Sequence, residues 1–171
     1  MDQPFPVVIG LGSNIDAEKN MREAARLLRE QWPQIRFSSV YSSEPIGRTD
    51  QADFLNAVAL IETDREVTKI VDILKSVESA LKKNPPHRFG PRTIDLDLLL
   101  FGNQVIMQKA PHDPQTKIAV PHLRMHERRF VLEPLIELMG PNHLHPALKR
   151  SLGYLMDEIA GQRCERTEIR L

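Results

Sequence analysis

Two stretches of this chain repeat their apolar residues at helical spacing, and short β-branched runs enclose each of them. That alternation admits only a few mixed topologies. The first stretch, DAEKNMREAARLLREQ, sets Met21, Ala24, Ala25 and Leu28 at i, i+3, i+4 and i+7. Pro33 ends it. The second lines up Val67, Ile70, Val71, Leu74, Val77 and Leu81, and Thr63 with Glu66 predicts a capping box at its start. The runs around them are VVIGLGSN (7–14), IRFSSVYSS (35–43), FLNAVALIET (54–63) and the apolar part of FGPRTIDLDLLLFG (89–102).

The order is strand, helix, strand, strand, helix, strand. It predicts an α+β fold: a ferredoxin-like β-α-β-β-α-β sheet with flanking helices, an α/β sandwich. FVLEPLIELM and ALKRSLGYLMDEIA predict a C-terminal helical extension, the latter aligning Leu148, Leu152, Leu155 and Ile159. KAPHDPQTK, between them and the sheet, reads as a mobile loop.

At 171 residues the expectation is a single domain spanning 1–171. The 41% hydrophobic and 27% charged composition is that of an ordinary soluble globule. Twenty-three basic residues balance twenty-three acidic ones, so nothing global points to nucleic acid or an anionic membrane. One cysteine, Cys164, excludes an internal disulfide and suits a reducing compartment. MDQPFPVVIG has no basic segment followed by a long apolar one, and no apolar run approaches the ~20 residues of a membrane helix. A cytoplasmic protein is expected.

The informative anomaly is Asp95 and Asp97. Side chains alternate along a strand, so Thr93, Asp95 and Asp97 share one face while Ile94, Leu96 and Leu98 share the other. For an isolated pair the commoner reading is a half-exposed strand with an acidic face. Against it, aspartate is poorly suited to strands, and this wall turns fully apolar two residues later. Carboxylates roughly 6.5–7 Å apart at Cα also repel unless something positive lies between them. A hard divalent cation meets that need, and Mg²⁺ takes one or two protein carboxylates plus substrate phosphates. Two metals roughly 3.5–4 Å apart fit the same pair.

Basic residues lie on both sides of the acids in sequence. Lys82, Lys83, His87, Arg88 and Arg92 precede them, and His122, Arg124, His126, Arg128 and Arg129 follow in VPHLRMHERRF. Either cluster alone would be a solvated surface. Beside paired aspartates in a chain of zero net charge, they suit clamps for a polyphosphate. Common nucleotide signatures are missing: GLGSNI (10–15) lacks the third glycine of GxGxxG, and no GxxxxGK[ST] occurs.

Three motifs, YSSEPIGRTDQADFLNAV (41–58), PRTIDLDLLLFG and VPHLRMHERRFVLEPL (120–135), together resemble the 6-hydroxymethyl-7,8-dihydropterin pyrophosphokinases of folate biosynthesis. The resemblance runs from Val7 to about residue 160. It implies a ferredoxin-like α/β sandwich and transfer of the β,γ-diphosphate of ATP to the pterin hydroxymethyl group, releasing AMP. It makes Asp95 and Asp97 the ligands of two Mg²⁺ ions, and it gives Arg92 and Lys83 catalytic phosphate contacts. Glu78, Arg88, Leu98, Lys117, His122 and Arg128 join Arg92 around ATP. The pterin is assigned Phe54 and Phe130 as stacking faces and Asn56 as a rim hydrogen-bonder, with Ser43, Glu44, Ile46 and Phe89 around it. Locally, Phe54 and Phe130 would more often be core, and Glu78 a solvated helix acid. No nucleic-acid or membrane partner is implied, and a monomer is expected.

The chain departs from the family pattern at several points. Phe89 stands where tryptophan is common, and Lys82-Lys83 where Gly-Arg is common, which turns a bidentate fork into a point charge. The expanded 109–117 segment leaves the placement of Lys117 open, and Leu123 replaces a proline or aromatic residue. Two further readings stay open. A two-metal nucleotidyl-transferring palm would release pyrophosphate rather than AMP. A ferredoxin-like RNA-binding module would need sheet-face aromatics and a basic surplus, which 5% aromatic residues and zero net charge disfavour.

Overall fold

The computed structural model describes residues 3–81 and 91–171. The chain opens with β1 (Phe5–Ser13) and α1 (Ala17–Gln31), followed by the short β2 (Arg36–Phe37) and β3 (Tyr41–Ser43). β4 (Phe54–Thr63), α2 (Val67–Ala80) and β5 (Asp95–Phe101) come next. The remainder is a hairpin of β6 (Ile106–Ala110) and β7 (Asp113–Val120), a 3-10 turn (Met125–Glu127), α3 (Arg129–Met139), α4 (Leu152–Asp157) and β8 (Cys164–Arg166).

The main sheet has the order β5-β1-β4-β3-β8, with β2 also on β4, and every pair in it is antiparallel. Period-two alternation in β1 and β4 gives the sheet two apolar faces. Val7, Ile9, Leu11, Ala57, Ala59 and Ile61 pack with Met21, Ala24 and Leu28 of α1 and Ile70, Leu74 and Val77 of α2. Val8, Val58 and Leu60 pack with Leu132 and Leu135 of α3 and Leu152 and Leu155 of α4. The result is a helix–sheet–helix sandwich, a mixed α/β fold.

β5 shows how acids enter this sandwich. Ile94, Leu96 and Leu98 bury on the α1/α2 side, as the alternation predicts. The β1–β5 register shifts between Val8 and Ile9, pairing Val8 with Leu100 and Ile9 with Leu98, so Leu99 has no register partner on β1. Leu99 and Leu100 then both join the α3/α4 side. The strand can thus carry aspartates at one end and be buried on both faces at the other.

Several expectations are corrected. The run 35–43 is two strands, because Ser38 replaces a rung of the ladder: its amide donates to Val58 O while its Oγ accepts from Val58 N, both at 2.9 Å. The capping box does not form. Glu66 is the N-cap without a side-chain bond, and Thr63 Oγ1 accepts from Arg65 N at 3.1 Å instead. The segment 109–117, expected as a mobile loop, forms most of the β6–β7 hairpin. The helix expected over 147–160 shrinks to Leu152–Asp157. His145 Nδ1 accepts from Ala147 N and Leu148 N, Lys149 sits at φ 57°, and Leu144 bridges Ser151, so residues 145–150 turn rather than coil.

Candidate active site

The α3-facing side of the sheet is laid out by register. Asn56 of β4 pairs with Gly12 of β1, which pairs with Asp95 of β5; one rung along, Val58, Gly10 and Asp97 are partners. Directly opposed residues share a face, so both aspartates project to the side where the two glycines leave a low floor. A Cβ on Gly12 would meet Asn56 Oδ1 at 3.3 Å, and one on Gly10 would meet the Leu99 side chain at 3.2 Å. These glycines, which as a sequence motif are only an incomplete nucleotide signature, are the floor of a cavity.

That cavity is walled by Ser43, Glu44, Ile46, Phe54, Asn56 and Phe130, with Arg92, Asp95, Asp97 and Arg128 at one end. It therefore gathers the described residues that the resemblance assigns to the pterin. Asn56 is 5% exposed and its Nδ2 donates to Ser43 Oγ at 2.8 Å, so part of its amide is already satisfied and its orientation is fixed. Phe54 and Phe130 are half-buried rather than core, which leaves ring area for a ligand.

A second cavity opens on the other side of the same acids. It is lined by Glu78, Leu98, Lys117, His122, Leu123 and Arg128, again with Asp95 and Asp97. The two cavities share Asp95, Asp97 and Arg128. Lys83, Arg88 and Phe89 lie outside the described residues, so their assigned contacts with phosphate and pterin have no structural description.

Individual groups are held by local chemistry. Arg92 is fixed through its backbone: its N–H donates to Asn14 Oδ1 at 2.7 Å, and its carbonyl accepts from Asn14 N and Ile15 N at 3.0 and 3.2 Å. Asn14 Nδ2 also donates to Gln51 Oε1 and Ala52 O, tying the 44–53 loop to the same point. Sequence reasoning missed Asn14; its only signal was an amide directly after a strand end. Glu78 Oε1 accepts from Leu96 N at 2.8 Å, so this helix acid caps an amide of the edge strand β5 rather than simply meeting solvent.

Charge at the junction is half-buried. Burial lowers the Arg128 pKa from its ordinary value, Asp97 opposing that shift and Arg124 adding to it. Its Nε is buried with no hydrogen-bond partner among the described residues. The His122 pKa is lowered by burial and then by Arg128, and its Nδ1 accepts from Arg124 N, so the neutral imidazole carries its proton on Nε2. A half-buried guanidinium with an enclosed Nε, a neutral imidazole donor and paired carboxylates form a setting for a charged oxygen-rich ligand.

Among the described residues no group of three or more His, Cys, Asp or Glu side chains could hold a metal. No helix among them is long and apolar enough to cross a membrane.

Known proteins resemble this chain in sequence and in fold. The profile of the 7,8-dihydro-6-hydroxymethylpterin-pyrophosphokinase (HPPK) family matches residues 8–140. The chain is 38% identical over 133 residues to the 2-amino-4-hydroxy-6-hydroxymethyldihydropteridine pyrophosphokinase of Haemophilus influenzae, covering 76% of this chain and 79% of that protein. It is 39% identical over 133 residues to the Bacillus subtilis enzyme of the same name, covering 76% and 75%. In fold it is similar to the Plasmodium falciparum HPPK-DHPS structure with pterin and p-hydroxybenzoate, at a TM-score of 0.68 and 15% identity over 92% of this chain and 43% of that one. With 133 of 171 residues sharing more than a third identity with relatives it largely spans, the chain belongs to the HPPK family.

Proposed function

We infer that this protein transfers the β,γ-diphosphate of ATP to the hydroxymethyl group of 6-hydroxymethyl-7,8-dihydropterin and releases AMP, a step of folate biosynthesis. The observation that carries the reading is the wall shared by two cavities. Among the described residues, a donor and an acceptor bound on either side meet at Asp95, Asp97 and Arg128. The strand order, with the split 35–43 run counted as one strand, fits the ferredoxin-like β-α-β-β-α-β arrangement, extended by α3, α4 and β8. One domain, acting as a cytoplasmic monomer, suffices for this activity.

The pterin lies in the first cavity between Phe54 and Phe130, where offset stacking suits a flat heterocycle. Asn56, held by Ser43, meets its rim, with Glu44 and Ile46 lining the same cavity; the family resemblance adds Phe89 as a pterin contact. ATP lies in the second cavity along Glu78, Leu98, Lys117 and His122, its triphosphate reaching Arg92 and Arg128; the family resemblance adds Lys83 and Arg88 as phosphate contacts.

Two same-face carboxylates suit magnesium. With no third protein ligand beside them among the described residues, coordination would be completed by phosphate oxygens and water, the habit of Mg²⁺. Asp95 and Asp97 would hold two such ions, which supply countercharge to the triphosphate when bound. The chain's own residues hold the acceptor oxygen in line with the β-phosphorus, exclude water, and neutralise charge through Arg92 and Arg128. The new bond joins the hydroxymethyl oxygen to the β-phosphorus as the bond from that phosphorus to the AMP oxygen breaks, with no covalent enzyme intermediate.

The test is to incubate the protein with Mg-ATP and the reduced pterin and identify the nucleotide formed. AMP, one for one with pterin diphosphate, is expected. Stoichiometric ADP or free pyrophosphate in early turnover overturns the reading.

A further inference from the structure

We propose that the segment from Ala160 to Arg166 is a strap that sets the shape of the first cavity, with Arg163 as its positioning residue. The proposal rests on the reading that this cavity holds the pterin. The strap lies beyond residues 8–140, the part matched by the family, so membership does not account for it.

The strap grips both walls of the cavity. On one side β8 extends the edge of β3, pairing Cys164 with Ser43 and Arg166 with Tyr41. Just before β8, the Arg163 guanidinium donates from Nε to Glu44 at 3.1 Å and from Nη2 to Asp53 at 2.5 Å. Glu44 and Asp53 are the first and last residues of the β3–β4 loop, so one planar fork joins both ends of the segment that carries Ile46 over the cavity. On the other side, Gln162 Oε1 accepts from Arg129 N at 2.9 Å and its Nε2 donates to Glu127 O at 2.8 Å. Arg129 Nη1 returns bonds to the carbonyls of Ala160 and Gln162. Arg128 and Phe130, which line the cavity, sit among these gripped residues.

Exposure decides what such a clamp can do. Glu44 and Asp53 are 67% and 44% exposed at the side chain, so these ion pairs add little to global stability. Closing a surface loop is a local equilibrium of small free energy, and there a weak, well-placed bridge shifts the population. The strap therefore acts on the spacing between the 44–53 loop and the start of α3, and through it on the fit of a flat heterocycle. The Arg163 fork itself touches only Glu44 and Asp53, neither of which lines the second cavity, so its removal leaves ATP binding near the parent value.

The experiment combines steady-state kinetics with hydrogen exchange over peptides spanning 44–53. In Arg163→Ala the pterin KM is expected to rise about threefold to fivefold, the range of a single well-placed ion pair. The ATP KM, kcat and melting temperature stay near the parent values, and exchange across 44–53 accelerates. Asp53→Ala, which releases the clamp from its other end, behaves alike, and the double variant is no worse than either single one. Arg163→Lys, charged but without a fork, falls between. An unchanged pterin KM with unchanged exchange in Arg163→Ala overturns the strap, as does an ATP KM that rises in step with the pterin KM. If the parent protein forms no AMP, the functional reading fails instead, and loop exchange in the Arg163 and Asp53 variants still decides the strap.

Discussion

Gly12 and Asn56 are direct register partners, and a methyl group on the glycine would stand 3.3 Å from the asparagine's Oδ1. The amide that faces the proposed pterin rim therefore has its height set by the absence of a side chain one strand away. Gly12→Ala is expected to displace Asn56 by a few tenths of an ångström and raise the pterin KM, with ATP binding and the melting temperature nearly unchanged. Parallel titrations of both substrates check it; equal losses for the two would mean the glycine serves the sheet and not the pocket.

Asp95→Asn and Asp97→Asn should each lower kcat by about 10²-fold or more, the scale of removing one preorganised electrostatic group from a transition state. Stability should hold, because each neutral amide relieves repulsion between neighbouring acids on a half-buried face. Melting temperatures within about 2–4 °C of the parent, the shift of 1 kcal/mol in a chain of this size, are expected. Near-full turnover at saturating Mg²⁺, or an unfolded variant, makes these acids structural.

Phe54→Ala and Phe130→Ala should weaken pterin binding about tenfold while sparing ATP, since one stacking face contributes roughly 0.5–1.5 kcal/mol beyond burial. Both rings are half-buried, so the cavity left behind is open to solvent and the stability cost stays modest. Isothermal titration with each substrate separates this outcome from a core role, which would lower the melting temperature and both affinities together.

Acid should destabilise the protein through His145. This ring is 3% exposed, and burial, followed by the charge of His126 (ring centroids 5.9 Å apart), lowers its pKa to about 4. The folded state thus keeps it neutral, while the unfolded chain takes a proton near pH 6.5. A depressed histidine contributes stability that is full above pH 6.5 and is lost as pH falls towards 4, up to about 3 kcal/mol. Urea midpoints at pH 7.5 and 4.5 should show this loss, and His145→Asn, which keeps an acceptor for the turn amides, should have a flatter slope. Equal slopes in parent and variant would place the acid sensitivity elsewhere.

The sandwich and the site were legible in the sequence to different depths. Long periodic elements announced themselves: Met21 through Leu28 and Ile70 through Val77 bury on the faces their spacing predicts. Asp95 and Asp97 stood out because a charge in a strand violates local preference, and both line the two cavities. Short pieces gave no such signal. The β8 run Cys164–Arg166 is three residues of no special strand preference, and only an exposed β3 edge makes it a strand. Lys109–Lys117 alternates too few apolar residues to reveal a hairpin, although Ala110 and Ile118 bury. Side-chain substitution for backbone, as at Ser38 and His145, is invisible to periodicity altogether.

Leu99, without a register partner on β1, has a consequence for chain length. Shortening the Leu98–Leu100 run by one leucine leaves DLDLLF, a strand of strict alternation in which both acids and both buried ends keep their faces. The run is thus a one-residue length buffer between a charged half and a buried half, at the expense of the side chain beneath Gly10. A strand one leucine longer has no such freedom. Either it must turn Leu100 and Phe101 over, or it must drive Asp95 and Asp97 into the layer of Leu74 and Val77, where two carboxylates find no water.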